Sequence, residues 1–315
     1  MGAGMTSVIE FPIPEQFRRS PAVANRERLA AHLSRLPPDE IMRNYVYMTK
    51  AEAIEEFEMV FRLLAPWRFR GRGFEVGAGV GVFSSMVARN FPEVKSIHAI
   101  EVVSGVVRHL QPVVASHVAG ERAACITGVI GSFDDLAALG GGFDFCIEIA
   151  SLHHSNDLRR TLREIAARLR PGGILIALDR AHRNGMPERQ RQLMLDLEYS
   201  SRWKRENHYP PDPLTRRANG EHEIALAEWE EDFRGAGFEV IRRFELRAAN
   251  WPRLFRSAVL HLPFALREKF GWLPTRVRPQ CGETGWMLRH LFGLGRDAVF
   301  HAGVRDHTLF IAKRM

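Results

Sequence analysis

The spacing of apolar and polar residues changes repeatedly along this chain, from the alternation of strands to the periodicity of helices. Short apolar runs rich in β-branched residues predict strands at 73–76, 95–100, 123–129, 143–149 and 174–178. Apolar residues at helical spacing predict helices near 83–90, 103–118 and 158–169. Such an order is typical of a mostly parallel sheet that is covered by helices on both faces.

The pattern continues at both ends of the chain. The Pro-rich start, residues 1–21, predicts irregular structure, and helices are predicted at 25–36 and 51–64. Further on, the pattern predicts a helix at 226–235 and strands at 238–246 and 308–313. Pro171, Gly172 and Gly173 predict a stop and a turn between a helix and the strand after it.

A glycine-rich turn follows the first of the central predicted strands. Residues 74–82 read Phe-Glu-Val-Gly-Ala-Gly-Val-Gly-Val and lead from that strand into a helix. Gly77, Gly79 and Gly81 have no Cβ, so the chain can bend there at positive φ or let a ligand lie against bare backbone. The free N–H groups at the start of the helix point back at the turn. Together these features predict a nucleotide-type binding site.

The spacing of this turn separates two classes of cofactor. The dinucleotide fingerprint Gly-x-Gly-x-x-Gly holds a pyrophosphate, whereas this chain has Glu-x-Gly-x-Gly-x-Gly, with Glu75 just before the turn. A carboxylate there repels a pyrophosphate and suits a ligand that carries an ammonium and a sulfonium. Glu101 ends the next predicted strand, about 20 residues beyond the turn, where an acid commonly binds ribose hydroxyls.

Four blocks of this sequence, in this order, resemble the class I S-adenosylmethionine-dependent methyltransferases. They are the glycine turn, residues 143–154, residues 169–176 and residues 236–240. The resemblance covers roughly residues 65–246 and the terminal strand. It implies an α/β, Rossmann-like sheet of seven strands with the last one antiparallel, S-adenosyl-L-methionine as cofactor, and methyl transfer as the activity.

In this family the cofactor lies at the carboxyl ends of the strands. The resemblance implies that Glu101 binds the ribose diol through both carboxylate oxygens and that Glu75 contacts the cofactor; an acid that only stabilises the helix N-terminus is the alternative for Glu75. The family usually has an acid where this chain has Ser132, with Asp134 two residues on, so Ser132 and the Phe133 backbone are expected near the adenine. The predicted cofactor-binding residues are Glu75, Gly77, Ala78, Gly79, Gly81, Glu101, Val102, Ser132, Phe133, Glu148 and Ile149.

Methyl transfer to a hydroxyl needs a base, and histidine suits this role because its unperturbed pKa lies near neutrality. The candidate catalytic residues are His153, His154 and His182. A structural role in capping the next helix is the alternative for His154. Candidates for the acceptor pocket are Tyr45, Tyr47, His208 and Tyr209. Ordinary packing of the N-terminal cap is the alternative for Tyr45 and Tyr47. The spacing of Glu221, His222 and Glu223 could suggest a metal site, but the surrounding region is generally acidic and we expect no metal.

Residues 247–305 separate the last two predicted strands, where the family usually needs only a short turn. This basic insert holds ten Lys and Arg residues against three acids, a net charge of +7 that equals the charge of the whole chain, together with eight aromatic residues. Long insertions are usually lids or binding loops. The surplus charge predicts an anionic neighbour: a phosphate-bearing small substrate, an acidic membrane surface or RNA. A small helical subdomain with an aromatic core is the alternative.

These features divide the chain into an N-terminal extension and helical cap (1–64), a methyltransferase core (65–246), the basic insert as a lid (247–305) and a final core strand (306–315). The cysteines Cys125, Cys146 and Cys281 are too far apart for a metal site, and their odd number argues against a disulfide framework. The sequence shows neither a signal-peptide pattern nor the run of about 20 apolar residues that a membrane span needs. We expect a cytoplasmic protein, or one attached peripherally to the inner face of the membrane.

The predicted function is therefore methylation of a small molecule, at oxygen, on an anionic or partly apolar acceptor such as a sugar, a lipid precursor or a natural-product intermediate. One alternative is an RNA methyltransferase that uses the basic insert. It ranks second because no Asn-Pro-Pro-Tyr-like signature, which amine-methylating enzymes favour, follows Ile147. The other alternative is a non-catalytic scaffold that binds S-adenosylmethionine.

Overall fold

The computed structural model describes residues 7–13, 15, 20–46, 57, 60, 69–182, 184–186, 188–196, 198–199, 201–206, 209–247 and 306–315. Phe57 and Val60, both helical and buried, belong to the helix predicted at 51–64. The rest of that helix and residues 248–305 of the basic insert lie outside the described residues.

One mixed sheet organises the described residues. Its strands are β1 (Val8–Glu10), β2 (Gly71–Val76), β3 (Val94–Glu101), β4 (Ile126–Ile130), β5 (Phe143–Ile149), β6 (Leu169–Arg180), β7 (Phe238–Arg247) and β8 (Asp306–Arg314). They lie in the order β1-β4-β3-β2-β5-β6-β8-β7. The pairs from β1 to β6 in this order are parallel, and the last strands are antiparallel. The predicted fold class is confirmed, but the predicted number of seven strands is wrong, because the sheet has eight.

The additional strand is β1, in a segment for which irregular structure was expected. It pairs in parallel with β4, with Val8 beside Gly128 and Glu10 beside Ile130. A strand of three residues is too short to show an alternating pattern in the sequence. Its conformation comes from the hydrogen bonds that the edge of β4 offers to an extended segment. The N-terminal extension therefore contributes to the sheet itself.

The helices are α1 (Pro21–Leu33), α2 (Pro38–Ile41), α3 (Val82–Asn90), α4 (Gln111–Ala119), α5 (Leu158–Arg168), α6 (Glu188–Leu195), α7 (Ser201–Glu206) and α8 (Leu226–Gly235). The helix predicted at 103–118 is not a continuous α-helix, because a π-helical turn, Val106–Leu110, precedes α4. Pro112 lies at the start of α4 and has no N–H to donate to the preceding turn. A regular α-helix therefore does not run through this point.

Strand β6 is longer than the strand predicted at 174–178, because the turn at Pro171 is built into it. Phe143 pairs with Leu169 and Phe145 with Ile174, so the register shifts between these two pairs. A side chain on Gly173 would place a Cβ only 2.9 Å from the carbonyl oxygen of Arg170. The glycine therefore allows the strand to continue through a bulge.

The chain divides into two compact units. The first comprises Met1–Asp179, Glu230–Phe244 and Leu309–Met315. Its central strands β2 and β5 are mostly buried, and the rings of Phe74 and Phe143 pack edge to face with 5.0 Å between their centroids. Burial on both faces is typical of a parallel sheet, and it makes the strand ends a rigid support for a site.

The second unit comprises Arg180–Trp229 and Glu245–Thr308. Trp229 is fully buried within it, and its indole N–H donates to the carbonyl oxygen of Arg180 at 3.0 Å. Among the described residues, no helix has the length and apolar character needed to cross a bilayer.

Candidate active site

The glycine turn after β2 is shaped by two close approaches and one open side. Gly77 has φ +63°, and a Cβ there would lie 2.4 Å from the Cβ of Ser151, so only glycine fits. Gly79 has φ +52° and, within the described structure, no atom lies within 4 Å of the place where its Cβ would be. Gly81 adopts the left-handed conformation at the N-cap of α3. The turn thus presents bare backbone on the open side of Gly79.

The carboxylate of Glu101 ties this turn to the end of β3. Its Oε2 accepts the N–H of Gly79 at 3.0 Å, and its Oε1 accepts the N–H groups of Val102 at 2.9 Å and Val103 at 3.1 Å. A carboxylate offers about four acceptor positions. Among the described contacts these three N–H groups leave one position, on Oε2, for a further donor such as a ribose hydroxyl. Backbone donors therefore hold the side chain in place for a ligand.

Gln111, the first residue of α4, holds the turn from another side. Its Nε2 donates to the carbonyl oxygen of Gly79 at 2.9 Å, and the side chain is almost completely buried. Its Oε1 is buried without a hydrogen-bond partner among the described residues. A buried acceptor of this kind favours a ligand donor nearby. Sequence reasoning missed Gln111, because no pattern in a single sequence marks a helical glutamine as part of a turn.

Glu75 is buried and bonded to the first turn of α3. One carboxylate oxygen accepts the backbone N–H of Ser84 at 2.9 Å and its hydroxyl at 2.5 Å. Burial raises the pKa of Glu75 to about 8, against the opposing effect of the Ser84 bonds, and the negative charge of Glu101 adds to the rise. These contacts are those of an acid at a helix N-terminus. Contact of Glu75 with a cofactor stays a prediction.

Ser132 and Asp134, in the turn after β4, make different contacts. The hydroxyl of Ser132 accepts the N–H of Asp134 at 3.1 Å. The Asp134 carboxylate accepts the hydroxyl of Thr161 at 2.5 Å and that of Ser155 at 3.5 Å, and burial raises its pKa. Asp134 is thus bound to the side chains around α5. The ring of Phe133 comes within 3.9 Å of the Cβ position of Gly77, which brings the two turns together.

The loop after β5 is organised by Glu148. Its Oε1 accepts the N–H of Ser151 at 2.6 Å, the Ser151 hydroxyl at 3.1 Å and the N–H of Leu152 at 3.1 Å. Burial and the nearby charge of Asp179 raise the pKa of Glu148 well above its ordinary value. Ala150 has a positive φ of 52°, which is unfavourable for a residue with a Cβ. Strain of this kind collects at functional sites.

His153 follows this loop and is held by the carboxylate of Asp179, at the end of β6. Asp179 Oδ1 lies 2.7 Å from His153 Nδ1, and Asp179 Oδ2 accepts the backbone N–H of His153 at 2.9 Å. The carboxylate is fully buried, and the imidazole is 9% exposed. A carboxylate at Nδ1 favours the tautomer that carries its proton there and leaves a lone pair on Nε2. The ring of His154, partly exposed, lies 4.4 Å away between centroids.

His182 lies in the second unit, within a network of buried charges. Its Nε2 is bonded to the carboxylate of Glu223, which also accepts from Arg216 at 3.0 Å. Burial alone would raise the pKa of Glu223, but the His182 bond and the charges of Arg180 and Arg216 bring it well below the ordinary value. The second carboxylate, Glu221, pairs with Arg180 at 2.6 Å. This network engages the Nε2 of His182 with a carboxylate.

The remaining predicted residues are placed as follows. Ala78 and Ile149 are buried, at the glycine turn and at the end of β5, while Val102 is partly exposed. Tyr45 is partly exposed in the π-helical turn Met42–Val46 of the first unit, and Tyr209 is partly exposed in the second unit. Tyr47 and His208 lie outside the described residues.

Sequence reasoning also missed Ser151 and Asp179. Asp179 carries a recognisable signal, because it is an acid near the end of a predicted strand, as Glu101 is on β3. Ser151 carries none. Its importance comes from lying against Gly77, which belongs to a different strand and loop.

Comparison with known proteins adds to this geometry. Residues 74–177, about a third of the chain, match the family model described as a methyltransferase domain. A protein of Galdieria sulphuraria described as a sarcosine dimethylglycine methyltransferase is 16% identical, with a TM-score of 0.55 over 93% of this chain and 98% of that one. The YcgJ protein of Bacillus subtilis is 17% identical, with a TM-score of 0.50 over 81% of this chain and 97% of that one. No curated protein sequence matches this chain.

At 16% and 17% identity, the solved structures indicate only the fold. The chemistry is indicated by the match to the methyltransferase domain. Residues 74–177 are therefore a methyltransferase domain, and the fold is that of the class I S-adenosylmethionine-dependent methyltransferases. The protein is a methyltransferase with S-adenosylmethionine as its cofactor. The site fits this cofactor, because Glu101 retains an acceptor position and the open side of Gly79 leaves room that a Cβ would fill.

Proposed function

We propose that the protein methylates a hydroxyl group of a small molecule, and that His153 is the base that accepts the hydroxyl proton. The observation that carries this proposal is the pair formed by His153 and Asp179, with 2.7 Å between Nδ1 and Oδ1. A buried carboxylate at one ring nitrogen directs the lone pair of the other nitrogen outward and stabilises the imidazolium that forms. General-base catalysis needs both properties.

When bound, the cofactor would supply an electrophilic methyl group and would leave as S-adenosylhomocysteine, with the electron pair of the broken S–CH3 bond on its sulfur. His153 Nε2 takes the proton from the acceptor hydroxyl, and the electron pair of the broken O–H bond stays on the oxygen for the new bond to carbon. Asp179 remains ionised and holds the ring through its Nδ1 proton. Glu148, which is buried, keeps the preceding loop in place through Ser151 and Leu152.

For the acceptor we propose an anionic or partly apolar small molecule, such as a sugar, a lipid precursor or a natural-product intermediate. The sequence of the basic insert supports this class, because its charge of +7 suits an anionic group and its eight aromatic residues suit an enclosing pocket. Methylation of RNA is the second candidate, and the same charge favours it. The two differ in salt dependence, since RNA would engage many arginines at once and release many counterions.

The decisive experiment compares His153→Ala with the wild-type enzyme on an accepted substrate. Turnover should fall by about 10²–10⁴ while the affinity for S-adenosylhomocysteine stays near normal, because only the proton acceptor is lost. The pH profile of turnover should also lose the limb that comes from the base. His154→Ala is the matched control, since it removes the neighbouring ring and leaves the Asp179 pair intact. Unchanged turnover in His153→Ala together with its loss in His182→Ala would transfer the role to the second unit.

A separate test addresses the acceptor class. Gel-shift and liposome co-sedimentation across a salt series compare the wild type with the double variant Arg276→Glu, Arg278→Glu. The wild type should show no RNA or membrane binding that the double variant lacks. RNA binding that is steeply salt-dependent and is removed by this double reversal would favour the second candidate. These two arginines lie outside the described residues.

A further inference from the structure

We infer that Phe11, from the N-terminal extension, forms the outer wall of the subsite for the adenine base. This inference rests on the cofactor stated above and concerns a residue that no sequence motif marks. Three observations carry it: the position of β1 in the sheet, the contact between Phe11 and Gly131, and the chemistry of the turn at Ser132.

Strand β1 brings Phe11 to the edge of the sheet where ligands bind. The N–H of Gly128 donates to the carbonyl oxygen of Ser7 at 3.1 Å, and the N–H of Phe11 donates to that of Ile130 at 2.8 Å. Because β1 and β4 are parallel, their carboxyl ends coincide. Phe11 therefore follows β1 at the end of the sheet where Glu101 ends β3. Ligands of open α/β sheets bind at this end.

Phe11 lies directly against the turn after β4. A Cβ on Gly131 would be 3.3 Å from Cδ2 of Phe11 and 3.4 Å from its Cβ, so the phenyl group covers the glycine backbone. The N–H of Gly131 donates in turn to the carbonyl oxygen of Glu101 at 3.1 Å. The ring is partly exposed. An aromatic surface therefore lies against the turn after β4, the strand next to the one that ends in Glu101.

The strand order determines on which side the base must lie. From the edge inward the order is β1-β4-β3-β2, with Glu101 ending β3 and the glycine turn following β2. The amino-acid part of the cofactor belongs at the glycine turn, so the base extends from the ribose in the other direction. Neighbouring strands are about 4.8 Å apart, which is roughly the distance between the ring centre of a ribose and that of its base. The base therefore reaches the turn after β4, which Phe11 borders.

The chemistry of this turn favours an aromatic wall. Ser132 stands where similar proteins have an acid, and the nearby Asp134 is engaged by Thr161. The position of the family's acid therefore offers a hydroxyl, and not a carboxylate, to the amino group of the base. Stacking or edge contact with an aromatic ring is the other common way to bind a nucleobase, and it contributes binding energy without requiring hydrogen bonds.

The test is calorimetric titration of the whole protein with S-adenosylhomocysteine. Phe11→Ala should weaken binding about tenfold or more, as expected when a base loses an aromatic contact. Phe11→Tyr should bind like the wild type, and Phe11→Leu should lose part of the affinity while keeping the apolar cover over Gly131. Ile9→Ala is the matched control, since it shortens an exposed side chain of the same strand farther from the carboxyl end.

Thermal unfolding of the ligand-free variants shows whether each one folds; if Phe11→Ala does not, Phe11→Leu takes its place. Unchanged affinity in a folded Phe11→Ala or Phe11→Leu variant would overturn the inference, and so would an equal loss in Ile9→Ala, which would mean that strand pairing alone is responsible. Absence of binding to the wild-type protein would instead contradict the cofactor assignment.

Discussion

The two halves of the site consist of different kinds of chemical group. The cofactor half, at the ends of β2 and β3, consists of glycine backbone and one carboxylate, Glu101, which accepts hydrogen bonds from the N–H groups of Gly79, Val102 and Val103. The half that we assign to the acceptor, at the ends of β5 and β6, consists of buried side chains. There Glu148 and Asp179 bond to the loop and ring around His153.

This difference separates binding from reactivity. The donors that hold Glu101 in the cofactor half are backbone N–H groups, which do not titrate. The acceptor half holds two acids on neighbouring strands, and burial together with the charge of Asp179 raises the pKa of Glu148 well above its ordinary value. Substitutions in this half should therefore alter turnover, whereas those in the cofactor half should alter affinity.

The largest effect is expected for Asp179→Asn. The amide keeps the size of the side chain but cannot hold the Nδ1 proton of His153 as a carboxylate does, so the productive tautomer and the stabilisation of the imidazolium are lost. Turnover should fall by about 10²–10⁴ with little change in the affinity for S-adenosylhomocysteine. Steady-state kinetics and calorimetry measure the two quantities. Asp134→Asn is the control, because Asp134 is a partly buried acid bonded to Thr161 and Ser155; a similar fall there would indicate a general effect of burying an amide.

The next effect is expected for Glu101→Ala, in the affinity for the cofactor. A hydrogen bond to a charged group contributes about 1.5–3 kcal/mol, so the affinity for S-adenosylhomocysteine should fall about tenfold or more. Calorimetric titration measures this loss. Asp144→Ala is the matched control, because Asp144 accepts the N–H of Arg72 at 2.8 Å at the opposite end of the sheet. Equal losses in the two variants would show that loss of sheet stability, and not of a ribose contact, is being measured.

The last prediction concerns Glu75→Gln and the pH dependence of stability. An unfolded chain releases the Glu75 proton near pH 4.5, whereas the folded protein keeps it up to about pH 8. Between these values the folded state binds more protons, so the free energy of unfolding falls as pH rises, by at most about 1.4 kcal/mol per pH unit. The amide removes this contribution.

Denaturant unfolding at pH 5, 6, 7 and 8 measures the difference between the Glu75→Gln variant and the wild type, which should grow with pH in favour of the variant. Glu164→Gln, on helix α5, controls for the change in net charge. A constant difference across this range would contradict a raised pKa for Glu75.

The turn chemistry of the cofactor half was accessible from the sequence. Gly77 and Gly79 adopt positive φ, and Glu101 ends its strand beside them. These features are local, because a turn between strand and helix demands glycine and an acid at a strand end is visible in the order of residues. The class of fold followed from the alternation of apolar patterns for the same reason.

Contacts between distant residues were decided only by the tertiary structure. Asp179 meets His153 across 26 residues because β5 and β6 are neighbours in the sheet, and Ser151 meets Gly77 because β5 also adjoins β2. Strand β1 forms because the edge of β4 offers hydrogen bonds to an extended segment, which places Phe11 against Gly131. Local patterns determine which elements form and where the chain turns. The pairing of strands determines which buried charges and rings meet, because hydrogen-bond register and burial depend on neighbours that are remote in the sequence.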